Sequence, residues 1–452
     1  GKIDYKRGIG NYEKNLFIRP EWKGKRLFIS FQGAESGIAL WLNGQFVGYS
    51  EDSFTPSEFE LTDYVKEGEN KLAAQVFKWT ASSWCEDQDF YRFSGIYREV
   101  YLYTVPDVHV YDLQIRAIPD ESLKKARFEV KTSTWGKGNV HIALSKNGQT
   151  ILEENKSLGE NAANTGSDRN GKDAATEAAG RIVQKGVADT FSWTVENPIL
   201  WSAEDPQLYD LVMEVFDENG TLQEVIPQKV GFRRFEMKDG LMTLNGKRIV
   251  FKGVNRHEFS SITGRCVSEA ELRKDLTIMK QNNINAIRTC HYPDASLIYR
   301  LCDEFGIYMI DETNLESHGS WQKMGVCEPS WNVPGSLPQW KACVIDRARS
   351  MLERDKNHPS VLIWSCGNES YAGDDIAEMN KYFMQQEDGR LVHYEGVSVN
   401  RKYEDEISQI ESRMYATPDE VRAYLSSNPK KPYLLCEFMH SMGNSLGGMS
   451  SY

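Results

Sequence analysis

No stretch of this 452-residue sequence reaches the roughly 20 consecutive apolar residues that a bilayer span requires. The first residues, GKIDYKRGIGNYEKNLFIRP, have no apolar core of a secretory signal. They read as a turn leading into a strand, so the first domain is expected to begin incompletely. Basic charge is in deficit: 53 Lys and Arg face 65 Asp and Glu, for a net charge of −12. Phosphate recognition needs a basic face, so neither nucleic acid nor a membrane surface is expected as a partner. No CxxC pair occurs, and eight cysteines scattered over this length do not make a disulfide framework. Cys302, Cys366 and Cys436 lie inside apolar runs and read as buried, reduced thiols of a cytoplasmic protein. Aromatic residues, by contrast, are plentiful, with 11 Trp and 21 Tyr. Rings stack on the C–H faces of sugars, so this excess is a weak pointer toward carbohydrate.

The length predicts two to four domains, because one core stops growing near roughly 250–300 residues. Residues 1–104 alternate apolar and polar side chains, as in RLFISFQG, GIALWLNGQFVGYS and NKLAAQVFKW. Asn43-Gly44 between two such runs marks a hairpin, since both residues tolerate the positive φ of a type I′ turn. This is expected to be a β-sandwich of jelly-roll type. Residues 105–235 continue with short strands and Asn-Gly turns at Asn147 and Asn219, predicting an immunoglobulin-like sandwich. The polar stretch 159–186 offers little to bury and reads as a long loop.

From residue 236 strands and helices alternate. Leu272, Leu276 and Met279 share one helical face, and a long helix is expected over about Pro338 to Asp355. Seven β units with apolar strands and polar C-terminal ends predict a (β/α)₈ barrel over 236–452 that stops after its seventh strand. A doubly wound sheet is the alternative, but no glycine-rich phosphate loop follows the first strand.

In a barrel the active residues gather at the C-terminal mouth. The strand ends carry Asn255, Arg256, His257 and Glu258; Arg288 and His291; Asp311, Glu312, Asn314, Glu316 and His318; Asn368 and Glu369; Glu395; Tyr415; and Glu437 with His440. Some of these acids are expected to pair with Arg256 or Arg288 simply to hold the rim. The whole set exceeds what those cations can neutralise. Two carboxylates facing each other across one mouth can cleave a glycosidic bond, one as a proton donor of raised pKa and one ionised. Glu369 and Glu437, on the fourth and seventh strands, are placed to do so.

HPSVLIWSCGNES and LLCEFMHSMGNSLGG resemble the acid/base and nucleophile motifs of glycoside hydrolase family 2, and of its β-galactosidases in particular. GVNRHEF, AIRTCHYP, DETNLESHG, MYA and, in the first domain, EDQDFYRFSGIYRE follow the same family in the same order. The resemblance spans the chain apart from the 159–186 loop. It implies a retaining exo-β-galactosidase that releases terminal β-D-galactose from β-galactosides such as lactose. It makes Glu437 the nucleophile and Glu369 the general acid/base. Glu316, His318 and Glu369 become ligands of a Mg²⁺ ion. His257, Arg288, His291, Asn368, Tyr415 and His440 take sugar-contacting or transition-state positions. Asp89 becomes a ligand of both sugar and Na⁺; without the resemblance it would read as a loop carboxylate paired with Arg92. The GNSLGG tail reads as a tight strand-to-helix turn rather than a phosphate loop.

The barrel is expected to break off after its seventh strand, short of the eighth strand and the later domains that the resemblance implies. An oligomer, or a completing chain or segment, is therefore expected. Two other readings stay open: another family 2 glycosidase such as a β-glucuronidase, and a non-catalytic sugar-binding or assembly fragment.

Overall fold

A computed structural model describes residues 8–159, 186–321, 332–441 and 447–452. The expected 159–186 loop, apart from its two ends, and most of the GNSLGG turn lie outside the described residues. The chain divides into two compact units.

The first unit contains residues 1–82, 91–199 and 207–232. Its first sandwich pairs Ile9–Ile18, Gly68–Phe77, Gly37–Leu42 and Gln45–Glu51 in one antiparallel sheet, and Ser57–Glu60, Arg26–Phe31 and Val100–Val105 in another. Leu27, Ile29 and Phe31 from one sheet pack with Ile38, Leu40, Leu42 and Val76 from the other. In a strand every second side chain shares a face, so period-two patterning delivers this core. The second sandwich sets His109–Pro119, Lys125–Trp135 and Val187–Glu196 against Gln149–Leu158, Gly138–Lys146, Tyr209–Asp217 and Leu222–Val230. Asn43-Gly44 and Asn147-Gly148 take the double positive φ of a type I′ turn. At Asn219 the turn differs: only Gly220 is left-handed. The Asp217 carboxylate accepts the backbone N–H groups of Asn219 and Thr221 and sets a longer loop instead.

The second unit contains residues 83–90, 200–206 and 233–452. Two short segments from the sandwich sequences thus pack with the barrel. Five parallel strands run in chain order, Gly253–Asn255, Ala286–Arg288, Tyr308–Glu312, Val361–Ser365 and Leu391–His393. Glu411–Met414 and Tyr433–Glu437 form a separate parallel pair. The fifth and sixth strands meet through Gln409 N–H to Val392 O at 3.0 Å and His393 Nε2 to Ser412 Oγ at 2.6 Å. The first and seventh share the Asn255 side-chain N–H to Cys436 O bond at 2.9 Å. Beside it lies a cavity of 490 Å³, walled by Phe251, Val254, Ile287, Leu434 and Leu435 and reaching Glu437 at its polar end.

Helices cover these strands. Glu269–Gln281 starts with a capping box from Ser268 and Glu271 and buries Leu272 and Leu276. Ser296–Phe305 ends at Gly306, whose φ of 70° and closeness to the Ala203 carbonyl leave no room for a Cβ. Pro338–Asp355 forms as expected. Asp374–Met384 is a further helix that the strand-end reading passed over. Its buried Ile376, Met379 and Phe383 recur at i, i+3 and i+7, which is the signal that would have found it.

Trp201 shows how the 200–206 segment is held. It is fully buried, its indole N–H donates to Asp303 O at 2.9 Å, and its ring meets Tyr308 edge-on. Trp201→Ala is expected to cost about 3–5 kcal/mol, because it leaves a large cavity and an unpaired carbonyl. Urea unfolding measures this, and a loss below about 1 kcal/mol would mean that Trp201 does not anchor the segment.

Candidate active site

The strand ends place a connected set of polar groups around Arg288. Its guanidinium is buried and bonded through all three nitrogens. Nε donates to Glu312 Oε2 at 2.6 Å, Nη1 to Glu437 Oε1 at 2.9 Å and Asn255 Oδ1 at 3.3 Å, and Nη2 to Asn368 Oδ1 at 2.8 Å. Arg288 thus orients the side chains around it. Arg256 serves the rim, bonded to Asp294 at 2.7 Å and Asp275 at 3.1 Å. Asp311 accepts from Tyr299 Oη at 2.6 Å and from Thr289. Asp311 thus bonds hydroxyls rather than a rim arginine, and Arg256 pairs with acids outside the strand ends; Glu312 makes the expected rim pair with Arg288. Glu312 does more, since it also takes His291 Nδ1 at 2.8 Å.

Glu437 stands at the tip of the seventh strand. Besides Arg288 it accepts Tyr415 Oη at 2.6 Å, and His291 Nε2 lies at 3.7 Å. Burial alone would raise its pKa. The Arg288 charge and the Tyr415 hydrogen bond outweigh burial and hold the carboxyl below its ordinary range. His440 is exposed, its ring 6.4 Å from that of Tyr415.

Glu369 follows the fourth strand with a φ of +27°, a strained conformation for a side-chain-bearing residue. Gly367 just before it has a φ of +133°, and a Cβ there would strike the Leu315 carbonyl. The Glu369 backbone N–H donates to Glu395 Oε1 at 2.9 Å. His318 Nδ1 approaches Glu369 Oε2 at 3.1 Å. Burial pushes the Glu369 carboxyl up, and the charge of Glu437 adds to the rise. The two carboxylates feel one another and are driven in opposite directions.

Glu316 is buried and accepts Asn368 Nδ2 at 2.9 Å through Oε2, while Oε1 has no hydrogen-bond partner. Burial and the charges of Glu369, Glu312 and Glu437 drive its carboxyl well up. Ligand atoms of Glu316, His318 and Glu369 lie within 4.8 Å of one another. An orphaned oxygen in a carboxylate-rich cluster fits a hard divalent cation that keeps several waters. His257, Cys290 and His291 form a second such cluster. Burial lowers His257 to about 4 and His291 to about 3, so both rings are neutral near pH 7 and act as hydrogen-bonding groups. His257 stacks on Phe90 with ring centres 4.5 Å apart and bonds Tyr292 Oη at 3.1 Å.

Asp89 belongs to the segment that packs with the barrel. It is exposed, and its charge reaches His291 and Glu369. Among the described residues it joins no cluster of three His, Cys, Asp or Glu ligands. The same segment is pinned by two backbone bonds, Glu316 N–H to Cys85 O at 2.8 Å and Asp87 N–H to Glu316 O at 2.9 Å.

In the sequence Glu395 stands out only as a strand end. Glu395 is buried, has its pKa pushed up to about 8 chiefly by burial, and holds the Glu369 backbone. His393 was passed over altogether. It bridges Ser365 and Ser412 beneath the site, and Ser365 in turn donates to Glu312.

Comparison with known proteins places this arrangement. Residues 2–106 match the sugar binding domain of glycosyl hydrolases family 2, residues 108–233 a further domain of that family, and residues 235–452 its TIM barrel domain. A β-galactosidase of Halalkalibacterium halodurans is 54% identical over 98% of this chain and 42% of its own length. One from Clostridium acetobutylicum is 53% identical over 98% of this chain and 47% of its own. The chain thus spans less than half of these two relatives. The β-galactosidase large subunit of Leuconostoc lactis is 48% identical over 98% of this chain and 67% of its own length. A β-glucuronidase structure from Ruminococcus gnavus superposes with a TM-score of 0.77 at 21% identity, covering 95% of this chain and 74% of that one, and so shares the fold. With three consecutive domains matched in order and close relatives along nearly its entire length, the chain belongs to glycosyl hydrolases family 2.

Proposed function

We propose that this chain carries the catalytic centre of a retaining exo-β-galactosidase, acting on β-galactosides such as lactose. The observation that supports it most is the opposed pair: Glu437 held ionised by Arg288 and Tyr415, and Glu369 pushed toward its protonated form. Glu437 attacks the anomeric carbon while Glu369 gives its proton to the departing glycosidic oxygen. The sugar is then covalently bound to Glu437. Glu369, now ionised, takes a proton from water as that water attacks the same carbon, and Glu437 leaves. Neutral His257 and His291, with Asn368, His440 and Asp89, are assigned to the sugar hydroxyls. Tyr415 steadies the departing Glu437 charge.

Glu316, His318 and Glu369 would hold Mg²⁺, which would offset the crowded carboxylate charge at this mouth. Na⁺ at Asp89 is proposed only from the family resemblance, and no step is built on it. Relatives named as large subunits support a companion polypeptide as partner. No helix among the described residues is long and apolar enough to cross a membrane. The free thiols favour a reducing compartment, and the cytoplasm is proposed.

A panel of p-nitrophenyl β-glycosides tests the reading. The galactoside is expected to be the best substrate, with β-galactose as the first product by NMR. Preference for the glucuronide would shift the assignment to another activity of the family. An α product, or no turnover of any sugar by the protein with its companion present, would remove the proposal. Thorough chelation is expected to lower kcat and Mg²⁺ to restore it; an unchanged rate would count against the Glu316 site.

A further inference from the structure

We propose that His257, Cys290 and His291 form a second cation site at the barrel mouth, one that takes a borderline-soft divalent ion such as Zn²⁺ and blocks turnover when filled. Their ligand atoms lie within 4.8 Å of one another. Around a tetrahedral zinc, with nitrogens at about 2.0–2.1 Å and sulfur at about 2.3 Å, ligand atoms stand roughly 3.3–3.6 Å apart. The cluster therefore closes on an ion through side-chain shifts of about 1 Å. The block on turnover rests on the galactosidase reading of this mouth; the site itself does not.

Both rings are already set for a metal. His291 Nδ1 is bonded to the Glu312 carboxylate at 2.8 Å, and His257 Nδ1 to the Tyr292 hydroxyl at 3.1 Å. Nε2 is the atom left in each ring, and a histidine whose other nitrogen is held by a carboxylate is the usual arrangement at metal centres. Phe90 lies against His257 with 5° between the ring planes, which fixes that ring's orientation. Neutral imidazole is the form that binds metal, and burial keeps both rings in it near pH 7. Glu437 Oε1 stands 3.7 Å from His291 Nε2, close enough to supply a fourth ligand. Cys290 is buried, so the ion enters past the two half-buried histidines. As the metal–sulfur bond forms, the thiol proton leaves to solvent, because the cation's charge at the sulfur outweighs burial.

Donor chemistry separates this cluster from the one at Glu316, His318 and Glu369. Two nitrogens and a sulfur favour Zn²⁺ over Mg²⁺, whereas two carboxylates and one imidazole suit the harder ion. The groups that zinc takes are the ones the sugar needs. His257 and His291 are assigned to its hydroxyls, and Glu437 to its anomeric carbon. Zinc and galactoside therefore exclude one another.

Cobalt makes the site visible. The 452-residue chain, held in excess Mg²⁺, is titrated with Co²⁺ as a coloured stand-in for zinc. A sulfur-to-cobalt charge-transfer band in the near ultraviolet is expected, and Zn²⁺ should bleach it. Cys290→Ser and Cys290→Ala should lose the band while keeping the circular dichroism of the unaltered chain. No band in the unaltered chain, or a band that survives in either folded variant, overturns the site. The kinetic arm uses the protein with its companion present. Zn²⁺ should raise KM for p-nitrophenyl β-galactoside and leave kcat unchanged. Without zinc, Cys290→Ser should match the unaltered kcat. It should need about 10–100-fold more Zn²⁺ for the same rise in KM, the range that loss of even an outer partner of a metal ligand causes. Equal inhibition of the two forms would overturn the block. Failure of the galactosidase reading leaves the cobalt result standing, since that result needs no turnover.

Discussion

Glu437→Gln is expected to lower kcat by about 10⁴-fold or more, roughly 5.5 kcal/mol of activation free energy. An amide cannot supply the electron pair that forms the glycosyl bond, so the covalent path closes. The fold should survive. Arg288 keeps Glu312 at 2.6 Å, Asn368 at 2.8 Å and Asn255 at 3.3 Å, so its buried charge is not left bare. A 2-deoxy-2-fluoro-galactoside separates this from a merely structural loss. Intact mass should show one sugar added to the unaltered protein, mapped to the peptide containing Glu437, and none added to the variant. Undiminished labelling of the variant would take the nucleophile role away from Glu437.

Glu369→Gln should behave differently, and the leaving group reveals how. For a poor leaving group such as an alkyl alcohol, loss of the general acid is expected to cost about 10²–10⁴-fold in kcat. For a dinitrophenyl galactoside, whose oxygen departs without a proton, the cost on forming the galactosyl-enzyme should nearly vanish. Equal losses on both substrates would sink the general-acid assignment. The pH profile carries the same information. Activity requires Glu437 ionised and Glu369 protonated. Glu437 lies below the ordinary carboxylate range, so kcat/KM should rise as pH climbs through that low value and stay up above it. Glu369 lies above its ordinary value, so kcat/KM should fall as pH climbs through it. In Glu369→Gln the acid limb should remain and the alkaline limb should disappear. An alkaline limb that persists would belong to another group.

Much of this was legible in residue patterns. Period-two alternation located the sandwich strands, and apolar strands with polar tips located the barrel. The strand-tip rule places Glu369 and Glu437 on one mouth, and the Glu437 charge does reach Glu369. Roles were harder to read than positions. The resemblance makes Arg288 a sugar-contacting residue, and the structure adds that its three nitrogens bond Glu312, Asn255, Glu437 and Asn368. Nothing in AIRTCHYP reveals that, because those partners come from four other strands. Glu395 and His393 were similarly opaque. Their importance lies in hydrogen bonds to the backbone of Glu369 and to Ser365, and such bonds leave no spacing in the sequence. Asp374–Met384 carries a readable pattern in Ile376, Met379 and Phe383. The Asn219 turn departed from its neighbours because an aspartate two residues earlier competed for the loop amides.

Arg288 has a consequence for how substitutions combine. Glu312, Asn255, Asn368 and Glu437 all hold the same planar group, although they stand on different strands. Changes at any of them act through one hinge, so their effects on turnover should overlap rather than add. Coupling of about 0.5–3 kcal/mol is the usual range for residues in one network. In evolutionary terms this makes the site epistatic. A change at Glu312 is expected to alter what the chain tolerates at Asn368, since both bond the same guanidinium.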